Sequence, residues 1–231
     1  LNFIKENDNS IEIGASVPLI VFQDLIKKYY KDFFDVLIRY GSNQIRNIAT
    51  ISGNIATASP IGDTLPLLLS LNSKITVDSY KKERTYSLND FFIGYRKTKL
   101  KNFEFIKSIT IPKYKNNIFK AYKISKRFDD DISTICASFN IEIKNNIIEN
   151  ICIAYGGMSE IPKRAKNCEK LLKNKNLTKN IILKAQEILN KDYNPISDMR
   201  ATSLYRIKVA QNLLLKCFLE IKNNKLHRIN A

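Results

Sequence analysis

IRNIATISGNIATASPIGDTLPLLLSL, residues 45–71, is the run on which the fold turns. It places small and hydroxylated residues directly before an unbroken apolar segment. Gly53 permits a sharp backbone turn and close approach by a ligand. Thr50, Ser52, Asn54, Thr57 and Ser59 set hydrogen-bonding side chains at short intervals, the texture of a donor-lined concavity suited to phosphate or a flat heterocycle. The same residues also suit a glycine turn whose hydroxyls bond their own backbone. After it a helix is expected, capped by Asp63 or Thr64, with Pro66 in the first turn where its missing N–H costs nothing.

Working outward, Ile11, Ile13 and Ala15 alternate with polar residues as a short strand. Residues 17–40 read as helices, with Leu19, Phe22, Leu25 and Ile26 on one face and Phe33, Phe34, Leu37 and Ile38 on another. KITVDSY (74–80) and RTYSL (84–88) form an expected strand pair, and EFIKSITIP (104–112) a further strand stopped by Pro112. Then NIFKAYKISKRF (117–128), STICASFNIEIK (133–144) and NIIENICIAYGG (146–157) follow one another as an antiparallel meander. Beyond Pro162 the pattern is helical. The last helix is expected from about Asp198 to Ile221, with a stripe of Leu204, Ile207, Ala210, Leu214, Cys217 and Ile221. The fold class is α+β, with a boundary near Pro112–Asn116.

The 231 residues carry a formal charge of +16. Lysine outnumbers arginine 29 to 9, and the lysines are scattered. Lys, Asn and Ile together follow AT-rich codon usage, which accounts for the charge without a nucleic-acid partner; nucleic-acid readers cluster Arg or interleave aromatics. No apolar run reaches the roughly 18 residues of a membrane span, and a cytoplasmic location is expected. Cys136, Cys152, Cys168 and Cys217 form no CxxC, and the one histidine, His227, sits near a polar end, so no metal site is expected. The chain begins with Leu and is expected to be a segment of something longer.

A second constellation lies at YKISKRFDDDIS (122–133), where Lys123 and Arg127 precede Asp129, Asp130 and Asp131. It suits a solvated, self-neutralised strand turn. Strand alternation also allows Lys123 and Asp130 to project near one another at one end of the sheet.

IRNIATISGNIATASPIGD, FFIGYRKT, FKAYKISKRFDDDIS, IAYGGM and DMRATSLYRIKVAQNLLLKCFLE occur in that order. Together, from about Ile11 to Ile221, they resemble the flavin-binding part of the small iron–sulfur/FAD subunit of bacterial xanthine dehydrogenases, within the molybdenum hydroxylase family. The Gly-Asn pair is shared across that wider family; the YKISKRF-D-DIS and SDMRA-YR-KVAQNLL signatures point to the xanthine dehydrogenase branch. The resemblance implies the second subdomain of a vanillyl-alcohol-oxidase/PCMH-type FAD-binding domain over 1–112. It further implies a CO dehydrogenase flavoprotein C-terminal-type domain over 113–222, a three-stranded antiparallel sheet with C-terminal helices, and a tail over 223–231.

It implies an oxidoreductase in which a molybdopterin-binding large subunit oxidises hypoxanthine or xanthine to urate. Electrons then cross two [2Fe–2S] clusters to FAD and pass to NAD⁺, in a hetero-oligomer. Residue by residue, Tyr40, Gly41 and Ile45 are implied along the FAD; Ala49, Thr50, Ser52, Gly53, Asn54 and Thr57 wrap it; Gly62 and Asp63 close the turn; Phe105 and Ile106 pack against the cofactor. Lys123 is implied beside the isoalloxazine with Asp130 holding it in place, and Tyr95 flanks the flavin where nicotinamide docks. None of these is a chemical catalyst. The sequence departs from the family in having no glycine-rich pyrophosphate loop before Ile11 and no cluster cysteines. Ser52 stands where many relatives have Gly, and Gly62 where some have Ser. A sibling molybdenum hydroxylase flavoprotein, of CO dehydrogenase or aldehyde oxidoreductase type, and a docking fragment without flavin stand as alternatives.

Overall fold

The computed structural model describes residues 1–223; of the expected tail, 223–231, Asn223 ends the last helix, and the remainder, with His227, lies outside the described residues. In chain order the elements are β1 (Ile4–Glu6), β2 (Ser10–Gly14), α1 (Leu19–Ile26), α2 (Lys31–Leu37), α3 (Asn43–Ile48), α4 (Ile51–Thr57), α5 (Thr64–Ser70), β3 (Lys74–Asp78) and β4 (Arg84–Ser87). A 3₁₀ turn (Leu88–Asp90) leads to the hairpin β5 (Phe92–Gly94) and β6 (Lys97–Thr98), then β7 (Phe105–Pro112). The second half comprises β8 (Asn117–Ile124), β9 (Ile135–Lys144), β10 (Ile147–Gly156), β11 (Lys163–Arg164), α6 (Lys166–Leu172), β12 (Lys175–Asn176), α7 (Lys179–Asp192) and α8 (Ser203–Asn223).

The first sheet is antiparallel in the order β1-β2-β7-β3-β4. Ile11 faces Ile111 and Ile13 faces Ile109 across β2 and β7. A register shift between Thr76 and Val77 sets Val77 opposite Ile106 and Ile75 opposite Ile109. That extra residue turns both isoleucines inward where strict alternation would expose one. Helices α1, α2, α4 and α5 cover this sheet and complete the first core.

The second sheet runs β11-β10-β9-β8, with β12 pairing β10. The expected three-strand meander is its centre; two short strands extend it. Seven consecutive β9 residues, Ile135–Ile141, are buried, because both faces of the strand are covered. Ala137, Phe139 and Ile141 face α6, α7 and α8 in a second core. The opposite face carries Cys136, Ser138 and Asn140, and packs on α5, where the Ser70 and Ser138 hydroxyls lie 2.6 Å apart and Asn140 donates to the Ser70 carbonyl at 3.3 Å. Helix α5 is therefore buried on all sides, from Thr64 to Ser70, between sheet and first core. No helix among the described residues is long and apolar enough to cross a membrane.

Two local expectations are corrected. The stretch around Gly53 is helical: Thr50 caps α4 by accepting from the Gly53 N–H at 3.0 Å, and the left-handed residue is Ala58 (φ 48°) at the helix end. Gly, Ser, Asn and Thr are poor helix formers, and the short helix forms here because the Thr50 cap supplies the Gly53 amide with an acceptor. The last helix begins at Ser203, not Asp198, and Leu204 is 83% exposed. Ala210, Leu214 and Cys217 of the expected stripe are buried, and Arg206, Leu213, Phe218 and Glu220 complete the buried face.

Candidate functional site

A cleft of about 520 Å³ opens where the two lobes meet. Tyr40 and Gly41 reach it from the α2–α3 loop, Asn54 from α4, and Ser59–Asp63 from the turn into α5. Tyr95 and Arg96 come from the β5–β6 hairpin, and Lys123 from the end of β8. Asp130–Ser133 line it from the β8–β9 turn, and Ile196, Asp198 and Arg200 from the α7–α8 connection. Such a volume is in the range of small-molecule and cofactor sites.

The cleft floor is an ion pair. Lys123 faces α5 because its strand register sets it beside Cys136, and its Nζ lies 2.5 Å from Asp63 Oδ2. The two side chains are 2% and 7% exposed. Ser133 donates to the other carboxylate oxygen at 2.5 Å. Cys136 Sγ donates to the Asp63 carbonyl at 3.5 Å, and burial, reinforced by the Asp63 charge, pushes that thiol well above its ordinary range. Asp63 was a candidate helix cap; it makes no side-chain capping bond, since its carboxylate is committed to Lys123 and Ser133.

Asp130 does not hold Lys123. It sits at the exposed tip of the turn with φ of 50° and lines the cleft mouth. The partner of Lys123 is 60 residues upstream, a distance at which strand alternation within one hairpin has nothing to say.

One wall is a relay of hydrogen bonds. Thr64 Oγ1 donates to Asn54 Oδ1 at 2.5 Å, and Asn54 Nδ2 donates to the Tyr40 hydroxyl at 3.3 Å. Burial and then the nearby Asp63 charge raise the Tyr40 phenol above its ordinary value, so it stays protonated at neutral pH. Gly41 takes φ of +54°. A Cβ on Gly62 would meet Leu65 Cδ1 at 3.0 Å and Asn54 Nδ2 at 3.3 Å, so a larger side chain fits this part of the wall only where those neighbours give by a few tenths of an ångström. The Pro60 carbonyl accepts from the Gly157 N–H at 2.7 Å, tying the same turn to the second lobe.

The other sequence candidates lie outside the cleft lining. Ile45, 46% exposed, packs on Gly41. Ala49, half-buried, accepts from the Leu19 N–H. Thr50 is occupied with Gly53, Ser52 donates to the Ala15 carbonyl at 2.5 Å, and Thr57 donates to the Gly53 carbonyl at 2.8 Å. These hydroxyls are thus bonded to their own chain. On β7, Phe105 is exposed while Ile106 is buried in the first core against Val77, turned there by the register shift. Asn54 and Lys123 do converge on one cleft; Gly53 itself does not line it.

Sequence reading missed Ser133, Ile196, Arg200 and Arg39. Arg39 Nε donates to the Phe128 carbonyl at 2.8 Å, Nη1 to the Lys123 carbonyl at 3.0 Å and Nη2 to Ser125 Oγ at 3.0 Å, with the guanidinium 4.5 Å from the Phe128 ring centroid. Its place beside Tyr40 was the available signal. Among the described residues no group of three His, Cys, Asp or Glu side chains is arranged to hold a metal ion.

Residues 1–114 match the FAD binding domain in molybdopterin dehydrogenase, and residues 120–221 match the CO dehydrogenase flavoprotein C-terminal domain. The glyceraldehyde dehydrogenase medium chain of Sulfolobus acidocaldarius is 31% identical over 223 residues, covering 96% of this chain and 79% of that protein. The xanthine dehydrogenase of Blastobotrys adeninivorans is 31% identical over 239 residues, 95% of this chain but 17% of that protein. That of Emericella nidulans is 34% identical over 186 residues, 74% of this chain and 14% of that protein. The chain therefore spans about a sixth of the xanthine dehydrogenases it matches. Among solved structures, carbon monoxide dehydrogenase from Hydrogenophaga pseudoflava superposes with a TM-score of 0.87 at 21% identity, over 92% of this chain and 75% of that one. Quinoline 2-oxidoreductase from Pseudomonas putida 86 gives 0.87 at 20% identity, over 97% and 79%. At these identities the likeness shows the fold.

Proposed function

Because this chain belongs to the family of FAD-binding flavoprotein units of the molybdopterin dehydrogenases, we propose that its cleft receives the flavin ring of FAD against Tyr40, Gly41, Asn54, Gly62, Asp63 and Lys123. The observation that carries this reading is the buried Lys123–Asp63 pair set beneath a cavity of about 520 Å³. The donor set fits the group. A small-residue wall at Gly41 and Gly62 admits a flat ring, and an aromatic side chain and a fixed cation lie beside it. FAD supplies the electron-accepting ring. A cation next to a flavin favours its anionic reduced form and raises its potential. Lys123 is held for that role by Asp63, which also offsets part of its charge. Tyr40 and Tyr95 limit access of water to the cleft, and Asp130 stands at its mouth.

Ile45, Ala49, Thr50, Ser52, Gly53 and Thr57, on the adjoining α3 and α4 and the link between them, are assigned to the rest of the cofactor. We take residues 1–112 as the FAD-binding unit and 113–222 as the C-terminal-type unit. The proposed whole enzyme is a cytoplasmic xanthine dehydrogenase. In it a molybdopterin subunit oxidises the purine, an iron–sulfur region delivers electrons to this flavin, and NAD⁺ receives them at the Tyr95 side. The xanthine dehydrogenase relatives support it. A sibling aldehyde-oxidising assembly is favoured by one finding: the glyceraldehyde dehydrogenase medium chain is matched over 79% of its own length.

The test of the cleft is equilibrium titration of FAD into the purified protein. A flavin spectrum that survives gel filtration is expected, and a colourless product would overturn the reading. Xanthine-dependent against aldehyde-dependent NAD⁺ reduction by the assembled enzyme separates the two substrate classes.

A further inference from the structure

Nine residues in this chain are Arg and 29 are Lys, so arginine is scarce. Among the described residues, three arginines each donate into two or more main-chain carbonyls of segments around one cleft. Arg46, 7% exposed, donates through Nη1 to the carbonyls of Ile38 at 2.9 Å and Tyr40 at 3.1 Å, and to that of Gly41. Its Nη2 donates to Asn43 Oδ1. Arg206, 2% exposed, donates through Nη1 to the carbonyls of Thr134 at 2.6 Å and Gly157 at 2.8 Å. Its Nη2 spans both oxygens of Asp198 at 2.8 and 2.9 Å. Arg39 holds the carbonyls of Lys123 and Phe128.

These are three loops: the α2–α3 loop, the α7–α8 connection, and the β8–β9 turn, which Arg206 holds at its end and Arg39 at its start. Each contributes residues to the cleft wall. Lysine would carry the same charge but could not bridge several carbonyls from one rigid planar fork. Gly157, whose carbonyl takes one of these bonds, sits at φ +81°, where a Cβ would lie 2.3 Å from the Thr134 carbonyl oxygen and 2.9 Å from Arg206 Nη1.

We propose that Arg46, Arg206 and Arg39 are positioning residues that hold the three cleft loops in their cofactor-binding arrangement before the cofactor arrives. Loops fixed in advance lose little freedom on binding, so affinity is retained that mobile loops would forfeit. The inference rests on the reading of the cleft as a flavin site.

The test uses the full-length gene product, stripped of flavin and titrated with FAD. Arg46→Lys and Arg206→Lys are each expected to weaken FAD binding by about tenfold. The control is Arg164→Lys. Arg164 makes a comparable fork to Glu169 at 2.8 and 2.7 Å, plus Asn72 at 2.6 Å, but borders a separate cavity. It is expected to lose thermal stability while keeping FAD affinity within about twofold. Affinity unchanged in both cleft variants, or lost equally in Arg164→Lys, would overturn the proposal. Should a cleft variant not fold, Asn43→Ala and Asp198→Asn each loosen one fork while leaving its arginine in place. They are expected to weaken FAD binding in the same direction by a few-fold, and unchanged affinity in both counts against it. A parent protein that binds no FAD defeats the reading of the cleft instead.

Discussion

Asp63→Asn removes one charge from a pair whose side chains are 2% and 7% exposed and whose polar atoms are 2.5 Å apart. The amide keeps the shape of the carboxylate and can still accept from Ser133, so packing is preserved. What remains is the Lys123 ammonium, buried with no counter-charge at 2.5 Å. Breaking one side of a buried pair costs roughly 3–5 kcal/mol, far more than loss of the pair as a whole. Lys123→Met strands the carboxylate, but Ser133 still donates to it, so the expected cost is about 3 kcal/mol, at the lower end of that range. The double variant strands neither charge. It is expected to be more stable than the sum of the single losses by at least about 2 kcal/mol. Urea unfolding of the four proteins reads this cycle directly. In a chain of this size each kcal/mol lowers the midpoint of melting by roughly 2–4 °C. Additivity within about 0.5 kcal/mol, or an Asp63→Asn loss below about 1 kcal/mol, would refute the buried pair as the structural floor of the cleft. In the flavin-loaded protein Asp63→Asn is expected to raise the flavin potential and Lys123→Met to lower it.

Tyr30 donates to the Pro112 carbonyl at 2.6 Å and accepts from the Tyr114 N–H at 3.1 Å, and burial pushes its phenol up to about 12. Its contribution is therefore intact below pH ~10 and lost as the pH climbs toward that value; a phenolate ultraviolet titration should lose one high-pH step in Tyr30→Phe, which should itself cost about 1 kcal/mol. Gly157→Ala would set a Cβ 2.3 Å from the Thr134 carbonyl oxygen at φ +81°, so a loss of at least about 3 kcal/mol is expected in chemical denaturation. Partial desolvation pushes the Asp198 carboxyl up, but the Arg200 and Ala201 amides and the Arg206 guanidinium outweigh it and hold it below its ordinary value. The stability it adds is present above the ordinary carboxylate range and disappears as the pH falls through the lowered value, a dependence that Asp198→Asn should flatten. Arg39→Ala should leave the β8–β9 turn open to trypsin at Lys126 and Arg127, with cleavage faster by on the order of tenfold while the two cores stay folded.

Much of the fold was legible because it rests on local periodicity. The β8–β10 meander, the strand at residues 104–112 and the helices of the second lobe all follow from alternation or 3.6-residue spacing within one segment. The departures have local causes as well. Gly53 reads as a turn residue, yet Thr50 caps its amide and the backbone winds into α4. Leu204 reads as core but precedes the point at which α8 meets the second sheet, while Arg206, two residues on, is buried because its fork finds carbonyls and a carboxylate. Ile106 and Ile109 share a face only through a register shift that no hydrophobic pattern announces.

For the site, sequence alone determined the ingredients: a small-residue run at 45–63, a basic-acidic strand turn at 122–133, and the family signatures that join them. Those are properties of neighbours along the chain, where turn chemistry and spacing act. The tertiary structure decided the pairings. Asp63 rather than Asp130 meets Lys123, Ser133 completes that contact, and scarce arginines from three segments close on the loops around it. A buried charge must find its partner in space, and the nearest carboxylate in the folded chain need not be the nearest in the sequence.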